Sequence, residues 1–298
     1  MQTGIWDEIK AFFLKGSVLA RLIGINIAVF ILVSLIRVIL YLANAPAVAE
    51  ALPLWLGIPS NLHVIILRPW TLVTYMFLHF EFFHILFNMI VLYVGGRLFS
   101  EFIGPNRLTG TYLLGGIAGA LVFVISFNLF PVFEPVVNVA VAIGASASVL
   151  AIFVAIATYA PNHHLHLLLV GRVKLKYIAI FFVVIDLISI DQGNPGGHLA
   201  HLGGAFWGFL YARMLRHGQD PALQIGAWIN ALGGVFKPRP RMRVEYRAPR
   251  PKSDDEYNRE RLQHQQRIDE ILEKISRRGY ESLSREEKEL LFREGNKN

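Results

Sequence analysis

Charged residues are sparse between about positions 17 and 213, where apolar residues gather in runs long enough to cross a lipid bilayer. A hydrocarbon core about 30 Å thick needs about 20 mostly apolar helical residues to span it. Within that core each backbone N–H and C=O must find a partner inside the protein, so isolated apolar runs fold as helices. The pattern predicts an all-α, polytopic bundle for which the bilayer is the main solvent. Composition agrees: 54% of the 298 residues are hydrophobic and 17% charged, with a mean hydropathy of +0.44, outside the range of ordinary soluble domains.

Six spans are predicted, at about 19–42, 82–99, 108–129, 141–160, 177–190 and 198–214. The connection at 43–78 contains Pro46, Pro53, Pro59 and Pro69, and its polar interruptions exclude a further span. Basic residues mark one side of the membrane. Lys10, Lys15 and Arg21 lie before and at the start of the first span, Arg97 and Arg107 at and after the end of the second, Arg172, Lys174 and Lys176 between the fourth and fifth, and Arg213 and Arg216 at and after the end of the sixth. The alternate connections hold only Arg68. Positive charge stays in the cytoplasm, so both termini are expected there.

The same logic assigns the net charge of +7 to topology and anionic lipid, with no nucleic-acid partner expected. The absence of cysteine excludes disulfides and thiolate metal sites. Residues 1–16 form an amphipathic cytosolic segment with Ile5, Trp6, Ile9, Phe12 and Phe13 on one side. It has no small-residue cleavage site, and no processing is expected. Residues 17–216 make the membrane core and 217–253 a basic, proline-rich linker. Residues 254–298 read as a cytosolic helical hairpin, with Ile268, Ile271, Leu272 and Ile275 at helical spacing and Gly279 between its halves.

Polar groups inside spans are costly, so each requires an account. The candidates for chemistry are His79, His84, Asn88, Ser146, Asp186, His198 and His201. Ser146 lies 15 residues before Pro161, about 22 Å at 1.5 Å per residue. His201 precedes Arg213 by 12 residues, about 18 Å, and His84 precedes Arg97 by 13, about 20 Å. The three therefore meet at one depth in the outer half of the membrane, with Asn88 one turn below His84. A serine and a histidine at one level form a nucleophile and its base. Asn88 and His84 share a helix face and are candidates to stabilise an oxyanion, together with free N–H groups at the start of the fourth span.

Other readings stand beside this one. His198 and His201 are three apart and would suit a metal pair, but HExxH is absent and no carboxylate is near in sequence. Ser148 is expected to face another side of its helix. Asp186 reads as a buried structural group, with a third catalytic member as the alternative. His198 reads as an interfacial residue, and His79 as a residue that orders the outer end of the second span. His163, His164 and His166 read as solvated. Arg37 either snorkels or pairs with a carboxylate.

The segments FLHFEFFHILFNM, GASAS and GGHLAHLGGAFWG together resemble the rhomboid intramembrane proteases, which carry H-x-x-x-N, G-x-S and A-H-x-x-G on successive even spans. The resemblance covers about residues 70–213. It implies a six-helix rhomboid-like bundle and a Ser–His dyad, Ser146 and His201, that hydrolyses peptide bonds in or beside transmembrane segments. It also implies oxyanion stabilisation by Asn88 and His84, and structural roles for Gly144, Gly204, Glu101 and Gly104. Two positions depart from the family pattern: Ala147 stands where glycine is usual, and Leu150 where some members place a tyrosine against the histidine. The first crowds the oxyanion site, and the second leaves the orientation of His201 to other contacts. No metal or organic cofactor is implied. The expected partners are transmembrane protein substrates and the lipid bilayer of a bacterial cytoplasmic membrane. Two alternatives are a client-binding pseudoprotease and a small transporter, the latter disfavoured by the lack of an inverted repeat.

Overall fold

The computed structural model describes residues 16–167, 170–235 and 253–295. The amphipathic N-terminal segment, apart from Gly16, and the basic stretch 236–252 lie outside the described residues. The chain divides into two units, Met1–Lys237 and Pro238–Asn298.

In the first unit, helix α1 (Val18–Leu42) starts at Ser17, whose side chain accepts the Ala20 N–H. The connection that follows is built from short helices, α2 (Pro46–Leu56), α3 (Leu62–Leu67) and α4 (Thr71–Thr74), with strand β1 (Ile58–Pro59) between α2 and α3. Helices α5 (Phe82–Phe102) and α6 (Leu108–Leu129) are joined by a turn in which Gly104 adopts φ +113°. After strand β2 (Val141–Ala142) come α7 (Ser146–Tyr159), hairpin strands β3 (His164–Leu167) and β4 (Gly171–Lys174), α8 (Leu175–Ile188) and α9 (Pro195–Arg216). Helix α10 (Pro221–Val235) closes the unit.

The fold is mostly helical. Among the described residues, three helices are long and apolar enough to cross a membrane by length and composition, Val18–Leu42, Phe82–Phe102 and Pro105–Leu129. Shorter apolar helices accompany them, as in a multi-pass membrane protein. Large apolar side chains such as Ile31, Leu35, Ile39, Ile180, Phe181 and Val184 face outward on α1 and α8.

The structure corrects three expectations. Two short antiparallel strand pairs, Ile58–Pro59 with Val141–Ala142 and β3 with β4, amend the all-α assignment. The fourth helix begins at Ser146, later than the 141–160 run suggests, because 141–142 pairs with β1 and Gly144 takes φ +115°. The supposed linker 217–253 contains α10. Asp220 starts this helix by accepting the Leu223 N–H and pairs with Arg107 and the Tyr211 hydroxyl. Asp before Pro is a strong start signal, and it was hidden by the basic, proline-rich composition downstream.

Helix α7 sits at the centre, with every residue from 147 to 157 buried. Helices α6 and α9 reach it through small residues. A Cβ on Gly119 or Gly115 would meet the methyl of Ala147 or Ala151, and one on Gly204 or Gly208 would meet their backbone carbonyls. Helices in lipid associate through such close packing rather than through a hydrophobic drive.

In the second unit, α11 (Asp254–Arg278) and α12 (Arg285–Gly295) flank a short turn at Gly279 (φ +77°). Ser253 and Glu256 cap α11 reciprocally, and Ser284 and Glu287 repeat the arrangement at α12. Ile271 and Leu283 are buried while Leu272 is half exposed, so the apolar stripe runs through Ile268, Ile271 and Ile275. Lys274 donates to both Glu287 oxygens at 2.9 Å.

Two outcomes follow. Gly208→Val, away from the polar residues, forces α9 from α7 and should lower stability by about 1–3 kcal/mol, seen as a lower Tm in detergent. The Lys274 ammonium, aided by the Ser284 N–H, holds the Glu287 carboxyl below the usual carboxylate range. Its contribution is present above that range and lost as pH falls through it. Protection factors of α12 amides, which take out the intrinsic pH dependence of exchange, should therefore fall on acidification, and less so in Glu287→Gln.

Candidate active site

Ser146 is the first residue of α7, and the backbone ahead of it is fixed from several directions. Gly144 donates its N–H to the Tyr75 carbonyl at 2.9 Å. Ala145 donates its N–H to His79 Nε2 at 3.3 Å, while His79 Nδ1 lies 3.3 Å from the Phe77 carbonyl. These contacts describe a neutral imidazole that donates from Nδ1 and accepts at Nε2. His79 is fully buried and its ring meets His84 edge-on at 5.0 Å. It therefore orders the serine loop as well as the entry to α5. At Gly144 only glycine fits, since its φ is left-handed and a Cβ would sit 2.8 Å from His84 Cε1.

The first intrahelical bond of α7 runs from the Val149 N–H to the Ala145 carbonyl. The N–H groups of Ser146, Ala147 and Ser148 precede it and have no acceptor within the helix. They lie at the positive end of the helix dipole.

His201 stands on α9, and its Nε2 lies 2.6 Å from Ser146 Oγ. Its Nδ1 lies 2.7 Å from Asp186 Oδ1, and the same oxygen is 2.9 Å from His198 Nδ1. An ionised carboxylate only accepts hydrogen bonds, so both rings donate Nδ1–H to it and His201 Nε2 is left to accept the serine proton. A carboxylate distant from these histidines in sequence is thus in contact with both. Asp186 reaches them from α8, and His198, expected at an interface, belongs to the first turn of α9. The signal for Asp186 was available in depth. It lies 10 residues beyond Lys176, about 15 Å along the helix, close to the level counted for His201.

His84, Asn88, Ser146 and His201 all line one cavity of about 410 Å³ bounded by α5, α7, α8 and α9. Phe83, Phe87, Leu150, Phe182 and Ile185 supply apolar walls, and Glu81 and Asp186 the acidic groups. Asn88 donates one amide N–H to the His84 carbonyl at 2.9 Å; its second N–H is not used by that bond.

The remaining expected residues lie as follows. Ala147 is buried against Gly119 and Gly204 and does not line the cavity, so its methyl packs on α6 instead of filling the site. Ser148 is fully buried facing Gly116. Glu101 is exposed on the last turn of α5, before Gly104. His163 packs on Phe102, while His164 and His166 are exposed on β3. Arg37 stacks over the Phe80 ring at 4.9 Å.

Asp186, His198 and His201 also offer ligand atoms within 4.8 Å of one another. A cation there would require both Nδ1 atoms to lose their protons and their bonds to Asp186. The observed contacts are those of two imidazole donors on one carboxylate oxygen.

Removing His79 leaves the Ala145 N–H buried without a partner. His79→Ala should cost about 1–3 kcal/mol of stability, and His79→Gln, whose amide carbonyl can accept that N–H, should recover part of it in thermal unfolding.

Comparison with known proteins places this geometry in context. A match to the Rhomboid domain covers residues 67–218. Residues 252–293 match a Family of unknown function (DUF6576). The chain is 31% identical over 144 residues to "RHOMBOID-like protein 12, mitochondrial" of Arabidopsis thaliana, covering 45% of this chain and 43% of that protein. It thus spans under half the length of this curated relative.

Proposed function

Because the chain belongs to the rhomboid family, and its serine and histidine are in hydrogen-bond contact, we propose that it is an intramembrane serine endopeptidase. Ser146 is the nucleophile and His201 the base. The observation that carries this reading is the 2.6 Å contact of His201 Nε2 with Ser146 Oγ inside a partly apolar cavity.

In this mechanism an extended segment of a membrane protein enters the cavity against Phe83, Phe87, Phe182 and Ile185. Ser146 Oγ attacks the scissile carbonyl as its proton passes to His201 Nε2. The tetrahedral oxygen takes on negative charge beside the free N–H groups at the start of α7, and the dipole of that helix favours the charge. Asn88 supplies its remaining amide N–H, with His84 alongside. His201 then gives its proton to the leaving amine, and the acyl-enzyme forms. Water entering from the non-cytoplasmic side gives a proton to His201 and attacks the acyl carbon. The bond to Ser146 Oγ breaks, Oγ takes the proton back from His201, and the second product leaves as a carboxylic acid.

The membrane arrangement proposed with it has six spans, α1 and α5–α9, within a core of residues 17–216, and both termini in the cytoplasm. Helix α7, at 14 residues, is about 21 Å long and short of the hydrocarbon thickness. The backbone ahead of it is buried at Gly144 and Ala145 and leads into the cavity at Ser146, a setting that allows irregular backbone at membrane depth. The active site then faces the outer half of a cytoplasmic membrane. Residues 254–298 are then part of the cytosolic C-terminal region.

With a model transmembrane substrate in proteoliposomes, wild-type protein should cleave, and Ser146→Ala and His201→Ala should each lower kcat by about 10³-fold or more. Cleavage by both variants at the wild-type rate would contradict the assignment.

A further inference from the structure

Asp186 is placed where a carboxylate is hard to keep. It is buried, it lies in the last turn of α8, where the helix dipole disfavours negative charge, and most of that helix is exposed and apolar. Only Leu175, Ala179 and Asp186 of α8 are buried. Its Oδ1 takes the Nδ1–H of His201 at 2.7 Å and that of His198 at 2.9 Å. A clasp between α8 and α9 would need only one such contact. Here one donor is the ring whose other nitrogen touches Ser146.

We infer that Asp186 is a positioning residue for His201, so that the site works as a Ser146–His201–Asp186 relay with His198 as a second donor that fixes the carboxylate. The inference rests on the protease reading above. Asp186 does three things through His201. It keeps the proton on Nδ1, which leaves Nε2 as the acceptor facing the serine. It fixes the plane of the ring, since a 2.7 Å bond at one nitrogen and a 2.6 Å bond at the other define its tilt. It also places a negative charge beside the imidazolium that forms when Ser146 Oγ bonds to the carbonyl carbon and its proton moves to Nε2. Asp186 stays ionised throughout, and the Nε2 proton leaves with the amine product.

His198 completes the arrangement from the preceding turn of α9. By donating to the same oxygen it restrains the carboxylate without contacting the serine. The other ionisable groups around the cavity are Glu81 and His84 at the start of α5, with His79 behind His84. A change in pH profile must therefore be read against variants at Asp186 itself.

The test compares wild type, Asp186→Asn and Asp186→Glu as full-length protein with the same transmembrane substrate. Asn keeps the shape but can present an N–H to Nδ1, which favours the unproductive tautomer. The expected result is a kcat lower by about 10²- to 10⁴-fold, with KM within about twofold and an unchanged Tm. The pH profile of kcat/KM should also differ from that of wild type, because the charge beside the imidazolium is removed. Asp186→Glu should recover at least about tenfold over Asn, as a carboxylate returns. Asp186→Asn with wild-type kcat and pH profile would overturn the inference, as would a loss of activity that only follows the loss of folded protein. A wild type that fails to cleave would overturn the protease reading itself, whereas an active wild type with an indifferent Asp186→Asn overturns this inference alone.

Discussion

Helices α9 and α7 meet backbone against backbone, and the polar site depends on that contact. At Gly204 and Gly208 there is no room for a Cβ before the carbonyls of Ala147 and Ala151. His201 lies one turn before Gly204, and Ser146 one residue before Ala147. Backbone packed on backbone has little freedom to slide, so this contact sets the separation of Nε2 and Oγ at 2.6 Å. A side chain at either glycine would move α9 outward by more than a hydrogen bond tolerates. In lipid, where apolar residues gain nothing by leaving the solvent, small residues of this kind provide the packing.

Upon this frame the polar groups are arranged so that nearly all of them are satisfied. Asn26 donates to the Leu22 carbonyl and the Tyr112 hydroxyl, Tyr112 to the Met76 carbonyl, and Asn128 to Ser60 and Val124. Among the described residues, the buried side-chain atoms without a partner are Ser148 Oγ and Trp207 Nε1. An unpaired buried group is costly where water is scarce. The same scarcity strengthens each pairing that is made. The serine loop benefits directly: Tyr75 and His79 hold Gly144 and Ala145 by hydrogen bonds from segments outside α7.

Much of this was legible in the sequence because the bilayer imposes a length and a polarity. The spans at 19–42, 82–99 and 108–129 correspond to helices that start or end within a few residues of those limits. Depth counting brought Ser146, His201 and His84 to one level before any coordinates, since rise per residue is fixed in a helix. The start of α7 was not legible, because it depends on a strand pair between segments far apart in sequence. Nor was the contact of Asp186 with His201. Periodicity gives the height of a residue on α8, but which side of α8 meets α9 is decided by packing. The hairpin of β3 and β4 was signalled by alternating residues in HLHL, but its charges concealed it. The role of Ala147 was read from the family pattern as crowding, whereas packing turns its methyl toward Gly119.

The central claim is chemical: one serine, made nucleophilic by one histidine. The most direct measurement is to react the folded protein with a fluorophosphonate and locate the adduct by peptide mass spectrometry. The account predicts a single adduct on Ser146, formed at a rate that collapses when His201 is replaced. An adduct on Ser148, or one on Ser146 that forms equally fast without His201, would contradict it.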